Sequence, residues 1–330
     1  MRHWYTKTNP ILTFFLFPLS YLFRLIVGIR HYLYQHNILK KYSVPVPVII
    51  VGNITVGGVG KTPFSIHLAK QFINNNINVG VVLRGYKGSN ENYTTVVDKN
   101  STSEMVGDEA MLYMKAGIPV VIGRNRYLAA KRLLLEYPNT KFIISDDGLQ
   151  HYKLKRDYEI IVVDGANTLG NGYMLPMGPC REPQSRLLTA DAIILTNIDN
   201  NPNEINNFKN KYNIPSQIPI LQQKTILKRI YNPISDKVIP IQELQSATTH
   251  KIVAMTGIGN PDKFFNFINS LDIKLYKTYQ YPDHHYFKPE DIPVDCDIIL
   301  VTSKDYVKLQ QYQNSKILVV DIDIDIQPVS

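Results

Sequence analysis

No acidic side chain occurs before Glu91 in this chain of 330 residues. Ten basic residues stand ahead of it, so the excess of 36 Lys and Arg over 28 Asp and Glu, a formal +8, is held at one end. Basicity confined in this way argues against nucleic acid as a partner of the whole protein. Cysteine is nearly absent. Cys180 and Cys296 can build neither a disulfide framework nor a cysteine-rich zinc site, and a reducing compartment is the natural setting. Glycine and proline follow no period and no segment repeats, which removes collagen-like, low-complexity and solenoid classes. With 44% hydrophobic and 19% charged residues, a packed core is expected and global disorder is excluded.

The acid-free end holds an apolar, aromatic run from Ile11 to Val27, interrupted by Pro18 and Arg24 and flanked by Trp4, Tyr5, His31, Tyr32 and Tyr34. It falls short of the about 20 apolar residues that a spanning helix wants. No small-residue cleavage site follows it, which argues against a secretory signal. Basic flanks with no acid to repel anionic headgroups fit a helix lying in the membrane interface; a single-span anchor and a buried core helix are the other readings.

Beyond this segment, short apolar runs alternate with helical spacing. Pro45–Val51, with Pro45 and Pro47 at its entry, Val79–Leu83, Val120–Ile122, Phe142–Ser145, Ile160–Asp164 and Ala192–Thr196 read as strands. Helical patterns cover about Pro63–Ile73, Met105–Lys115 and Arg126–Glu136. That alternation predicts an α/β fold with a parallel sheet and flanking helices. A Lys/Asn/Pro-rich stretch near Leu221–Ile241 reads as a linker or ribbon, after which a smaller α/β set begins at Ile252. The expected organisation is a membrane-associated helix over 1–40, a nucleotide-binding domain over 41–222, a linker or ribbon over 223–241 and a second, smaller α/β domain over 242–330.

The turn after the first strand reads Gly52-Asn-Ile-Thr-Val-Gly-Gly-Val-Gly-Lys-Thr-Pro63. Phosphates need converging backbone N–H groups, which small permissive residues and a following helix N-terminus supply. Thr55, Val56, Gly57, Gly58, Val59, Gly60, Lys61 and Thr62 are therefore the expected cradle of a nucleoside triphosphate. Lys61 reaches the β/γ-phosphates and Thr62 ligates Mg²⁺. The usual glycine five residues before the last glycine is Thr55 here. Asp146-Asp147-Gly148 follows the Phe142–Ser145 strand, where such NTPases hold their metal.

Other polar segments leave two readings each. Asp108-Glu109 is an acidic first helical turn or a functional pair. Arg181, in the long loop from Asn171 to Pro183, is a phosphate clamp or the partner of Glu182. Arg124 and Arg126 face phosphate or solvent. Asp283-His284-His285 suits proton transfer or a plain turn, and adjacent histidines make a two-His metal site improbable. Thr302-Ser303-Lys304 is a second anion contact or a helix cap.

Taken together, GNITVGGVGKTP, LRGYKG, VGDEA, DDGLQH, NGYMLPMGPCREP, GIGNPDKFF, YPDHHYF and TSKDYVKL, in this order from about residue 50 to 310, resemble the tetraacyldisaccharide 4′-kinases, P-loop kinases of lipid A biosynthesis. Cys180 and Lys87 depart from the family's usual residues within these motifs; Thr55 does not. The resemblance implies transfer of the ATP γ-phosphate, with Mg²⁺, to the 4′-hydroxyl of a tetraacylated glucosamine disaccharide 1-phosphate. It implies Asp108, His284, Lys61 and Asp147 as catalytic residues, and Thr62, Asp146 and Glu182 at the metal. Arg84, Arg126, Asn171 and Arg181 are candidates for the acceptor and its phosphate. The expected partners are the lipid A precursor and a membrane surface, with no obligate protein partner evident, at the cytoplasmic face of the inner membrane. The alternative is a membrane-associated P-loop switch NTPase. Val56 stands where the partitioning-type ATPases of that group carry lysine, which counts against it.

Overall fold

A computed structural model describes residues 4–5, 10–90, 92–198, 202–247, 249–283 and 285–328. In chain order the elements are α1 (Pro10–Gln35), β1 (Val48–Gly52), α2 (Lys61–Asn74), β2 (Val79–Leu83), β3 (Thr95–Val96), α3 (Ser103–Val106), α4 (Asp108–Lys115), β4 (Val120–Ile122), α5 (Arg126–Glu136), β5 (Phe142–Asp146), β6 (Tyr158–Asp164), β7 (Ala192–Thr196), α6 (Pro202–Tyr212), β8 (Ile220–Tyr231), β9 (Val238–Ile239), α7 (Ile241–Ser246), β10 (Ile252–Thr256), α8 (Pro261–Ser270), β11 (Lys277–Gln280), β12 (Ile298–Thr302), α9 (Ser303–Leu309) and β13 (Ile317–Pro328). The strands form one sheet in the order β11-β10-β12-β13-β8-β7-β6-β1-β5-β2-β4-β3, with β9 pairing to β8. The fold is the α/β architecture that the alternation predicts.

The sequence explains the centre directly. β1, Val-Ile-Ile-Val-Gly, is buried at every position and lies parallel between β5 and β6. A continuous apolar run is what a strand covered on both faces requires. Gly52 ends β1 where the chain after β5 crosses it: a Cβ there would sit 2.6 Å from Leu149 Cβ. That approach lays the Asp146-Asp147 turn against the start of the glycine-rich loop.

Two long strands join the halves. β8 and β13 pair antiparallel over most of their length, with Arg229 opposite Asp321 and Lys224 opposite Asp325. Opposite charges facing each other across strands favour this register. The parallel strands β10, β11 and β12, with α8 and α9, lie beyond β13 and form a C-terminal lobe.

The helical pattern over Met105–Lys115 is broken. Gly107, at φ +85°, separates α3 from α4, and a Cβ on it would meet the Tyr86 carbonyl oxygen at 2.7 Å. The break makes Asp108 the first residue of α4 instead of a mid-helix side chain. Thr302 caps α9, its hydroxyl accepting from Asp305 N at 3.0 Å, which decides between the two readings of that turn.

α1 is not a core helix. From Phe14 to Gln35 it is long and apolar enough to cross a membrane, and 6% of it is buried. One side docks: Ser20 donates to the Met174 carbonyl at 2.7 Å, Arg30 to the Gln150 carbonyl at 3.1 Å, and His31 stacks on Tyr152 with ring centroids 5.4 Å apart. Phe14, Phe15, Leu22, Leu25 and Ile26 remain exposed.

Gly52→Ala is expected to cost about 1–3 kcal/mol through overpacking against Leu149. Urea unfolding checks this; an unchanged midpoint would show that the loop after β5 is free to move away.

Candidate functional site

The carboxyl ends of β1 and β5 carry the chemistry. After β1 the chain turns through Gly57 (φ +113°) and Gly60 (φ +95°) into α2, whose first two residues are Lys61 and Thr62. Pro63 takes a position in the first turn where its missing N–H costs nothing. Thr55 and Val56, expected in the phosphate cradle, are committed elsewhere. Thr55 forms a β-bridge with Cys180, and Val56 N donates to the Pro179 carbonyl at 2.9 Å. Thr55 and Val56 thus brace the glycine-rich loop against the 171–183 loop, leaving residues 57–62 as its turn into α2.

β5 delivers Asp146 and Asp147. The Thr62 hydroxyl donates to Asp146 Oδ2 at 3.2 Å and the Tyr113 hydroxyl to the same oxygen at 2.7 Å. Burial raises the Asp146 pKa, opposed by the Lys61 ammonium and the Tyr113 hydrogen bond. Asp147 turns back in a left-handed conformation, φ +47°, that aspartate tolerates better than most residues. Lys61 Nζ lies 3.4 Å from its Oδ1, and Arg181 grips both oxygens at 2.8 and 3.3 Å. Against the pull of burial, these two cations hold the Asp147 carboxyl far below the usual carboxylate range. Asn53, fully buried, accepts from both Lys61 and Arg181 and so ties the loop to the 171–183 segment.

A second polar centre lies at the start of α4. Asp108 is buried and paired with Lys308 of α9 at 2.9 Å. A cleft of about 110 Å³ opens beside them, lined by Tyr86, Lys87, Ser103, Glu104, Gly107 and Tyr286. The two centres are joined by α4 itself. Tyr113, five residues after Asp108, reaches Asp146, and five residues of helix rise about 7.5 Å. Glu109 lies between them. Burial raises its pKa, with the Asp146 carboxylate adding to the effect and Lys304 and Lys61 opposing it.

Other expected residues take different places. Glu182, expected at the metal, is buried and bonded to Tyr152. Arg181 N and Glu182 N both donate to the Ile54 carbonyl, at 2.7 and 3.4 Å, which ties this bend to the chain after β1. Arg181 goes to Asp147, whereas Glu182 accepts from the Tyr152 hydroxyl at 2.7 Å. Arg126 is buried behind the site, bonded to the Gly123 carbonyl at 2.7 Å and the Asp146 carbonyl at 3.4 Å; burial pushes its pKa down to about 10. Asn171 braces its own loop through the Met177 carbonyl at 3.0 Å. Arg84 lies over the Tyr86 ring, beside the cleft. His284 falls outside the described residues. Its neighbour Asp283 receives Lys87 Nζ, from the lining of the cleft, on its carbonyl at 3.4 Å. His285 bonds Asp291 at 2.9 Å and stacks on Tyr281, the pattern of a structural histidine. Tyr113, Asn53 and Lys308 also meet the expected residues without having been singled out, although Asn53 and Lys308 lie within the quoted segments GNITVGGVGKTP and TSKDYVKL. Helical spacing from Asp108 is the one signal that points to Tyr113.

Among the described residues no group of three His, Cys, Asp or Glu gathers to cage a metal. A hydroxyl beside one carboxylate, Thr62 with Asp146, fits Mg²⁺, which commonly completes its shell with substrate phosphates and water. The set is all oxygen, as that ion prefers.

The chain is similar to known proteins over nearly its whole length. The family described as tetraacyldisaccharide-1-P 4′-kinase, LpxK, matches residues 12–330. The tetraacyldisaccharide 4′-kinase of Chromobacterium violaceum is 37% identical, over 99% of this chain and 94% of its own length. That of Legionella pneumophila is 38% identical, over 98% and 92%. A crystal structure of LpxK from Aquifex aeolicus in complex with ATP superposes with a TM-score of 0.78 at 30% identity, covering 94% of each chain.

His151, at the end of the Asp-Asp-Gly-Leu-Gln-His turn, gives a pH test. Burial, with the Arg126 cation nearby, pushes its pKa from 6.5 down to about 3. A depressed folded value means that the neutral imidazole contributes stability above pH 6.5, and that this is lost as pH falls toward 3. Urea stability should therefore fall less steeply across that window in His151→Gln than in the parent chain. Equal slopes would refute the assignment.

Proposed function

Since the chain belongs to the tetraacyldisaccharide-1-P 4′-kinase family, we propose that its two polar centres divide phosphoryl transfer between them, Lys61 and its neighbours holding ATP and Asp108 receiving the acceptor. The reaction is the ATP-dependent phosphorylation of the 4′-hydroxyl of tetraacyldisaccharide 1-phosphate in lipid A biosynthesis. The observation that carries the division is α4, a rigid element with Asp108 at one end and, through Tyr113, the metal-side carboxylate Asp146 further along. Phosphoryl transfer asks mainly for alignment and charge stabilisation, and a helix fixes such a separation better than a loop.

In this scheme the amides of 57–62 and the Lys61 ammonium bind the β/γ-phosphates. Thr62 and Asp146 would hold Mg²⁺, which when bound neutralises charge on the transferring phosphate. Asp147 orients Lys61 and Arg181. Asp108 accepts the proton of the 4′-hydroxyl, with His284 assisting from the C-terminal lobe. Arg84 and Lys87 stand beside the cleft for the acceptor's own phosphate. The exposed apolar side of α1, preceded and followed by basic residues, lies in the membrane interface at the cytoplasmic face of the inner membrane. Its docked side rests on the two loops that carry the site, so the acceptor would arrive from the lipid surface.

Purified full-length protein, labelled ATP and the disaccharide lipid test the assignment. Label on the 4′-hydroxyl is expected, with little hydrolysis when lipid is withheld. Turnover of ATP without lipid would favour a switch NTPase. Asp108→Ala and Asp108→Asn should each lower kcat by about 10²–10⁴-fold while ATP affinity stays nearly unchanged. Thermal melting of both variants separates this from unfolding caused by the unpaired Lys308 charge. Normal turnover per bound nucleotide would remove Asp108 from the chemistry.

A further inference from the structure

Three consecutive carbonyls of the glycine-rich loop are held from outside. The Val59 oxygen accepts from the Thr196 hydroxyl at 2.9 Å, and the Gly60 oxygen from the Gln223 amide at 3.4 Å as well as from Phe64 N of α2 at 3.3 Å. The Gly58 oxygen accepts from Lys263 Nζ at 3.3 Å. Thr196 and Gln223 belong to β7 and β8, in the same sheet as the loop. Lys263 belongs to α8 in the C-terminal lobe, 205 residues away in sequence.

The peptide geometry gives these contacts a consequence. In a trans peptide the C=O and the following N–H point in opposite directions. Drawing the oxygens of 58, 59 and 60 outward turns the N–H groups of Val59, Gly60 and Lys61 to the other side, where converging amides make an anion cradle.

The Lys263 ammonium is itself anchored. Its Nζ lies 3.2 Å from Asp164 Oδ2 at the end of β6. Asp164 is fixed in turn by the Ala166 amide at 3.2 Å and by Asn197 Nδ2 at 3.1 Å. Lys263 also breaks a local rule. It stands in the first turn of α8, where the helix dipole disfavours a cation. A residue that opposes its own helix while facing a partner across a lobe boundary is placed for function more than for local stability.

We propose that Lys263 is a positioning residue for the nucleotide: by holding the Gly58 carbonyl from the C-terminal lobe, it aims the Val59 amide at the phosphates, so that seating of that lobe and completion of the phosphate grip are one event. This rests on the reading of residues 57–62 as the ATP cradle. Lys263 acts through the loop and does not touch the γ-phosphate.

The test uses full-length protein with Lys263→Met, Lys263→Arg and, as a control on the cradle itself, Lys61→Met. KM for ATP and for lipid, kcat, thermal melting, and affinity for a fluorescent ATP and a fluorescent ADP are measured. Lys263→Met is expected to weaken ATP and ADP about tenfold and alike, the scale of one charge-assisted hydrogen bond, with the lipid KM unchanged. Lys263→Arg should restore most of the loss. Unchanged nucleotide affinity in Lys263→Met overturns the proposal, even where melting falls, because a purely structural contact would do that. A loss confined to ATP also overturns it, since it would make Lys263 a γ-phosphate ligand. If Lys61→Met binds nucleotide as well as the parent chain, the cradle reading fails instead, independently of Lys263.

Discussion

Two adjacent carboxylates at the end of one buried strand set the terms for the rest of this molecule. Asp146 is almost completely buried, and Asp147 follows it directly. Two unit charges 4 Å apart interact by about 4 kcal/mol at a near-surface effective dielectric, so such a pair persists only where cations and donors surround it. The surrounding groups are the parts of the site. Lys61 and Thr62 arrive with the glycine-rich loop, Tyr113 with α4, Arg126 with α5 and Arg181 with the 171–183 loop. Each element that satisfies the acids is thereby fixed in place, and compensation of charge and assembly of the site are the same event.

The outer layers follow from that centre. The 171–183 loop, pinned inside by Arg181, is pinned outside by α1 through Ser20, so the membrane-facing helix rests on a segment that already touches Asp147. The loop after β5 is covered the same way, through Arg30 and the His31–Tyr152 stack. The C-terminal lobe approaches from the opposite direction in sequence and meets the first half through cations: Lys308 on Asp108, Lys263 on Asp164, Lys87 on the Asp283 carbonyl. These ion pairs and polar contacts add to the β8–β13 pairing and to the packing of Val307 and Ile324 in the core of the first half.

What could be read in advance depended on how local the cause was. β1, α2 and β5 were legible because apolar runs and glycine punctuation act within a few residues. Lys61, Thr62, Asp146 and Asp147 were legible because a phosphate loop and an acidic strand end are local patterns with one common use. The bond from Tyr152 to Glu182 could not be read in advance, because a motif names neighbours without saying which side each faces. The contacts of Thr55 and Val56 could not be read in advance, because their partners, Cys180 and Pro179, lie far along the chain. Lys263 and Lys308 stand inside the quoted segments GIGNPDKFF and TSKDYVKL, but the acids opposite them, Asp164 and Asp108, come from distant parts of the chain. The break at Gly107 shows an intermediate case. Its glycine is plain in the sequence, but the Tyr86 carbonyl that demands it is not.

That break bears on why Asp108 suits an acceptor hydroxyl. Had the helix run through from Ser103, Asp108 would have been a mid-helix side chain aimed at whatever its face covered. Starting α4 anew places it at a helix N-terminus, where the dipole favours an anion, and opposite Lys308, which compensates the burial of its charge. Both influences fix the position of the carboxylate. In a transfer with a loose transition state, where little covalent work falls to the protein, a base contributes first by holding the attacking oxygen in line and only then by taking its proton. A carboxylate at the head of a helix, whose later turn grips the metal-side acid through Tyr113, meets that demand with one rigid element.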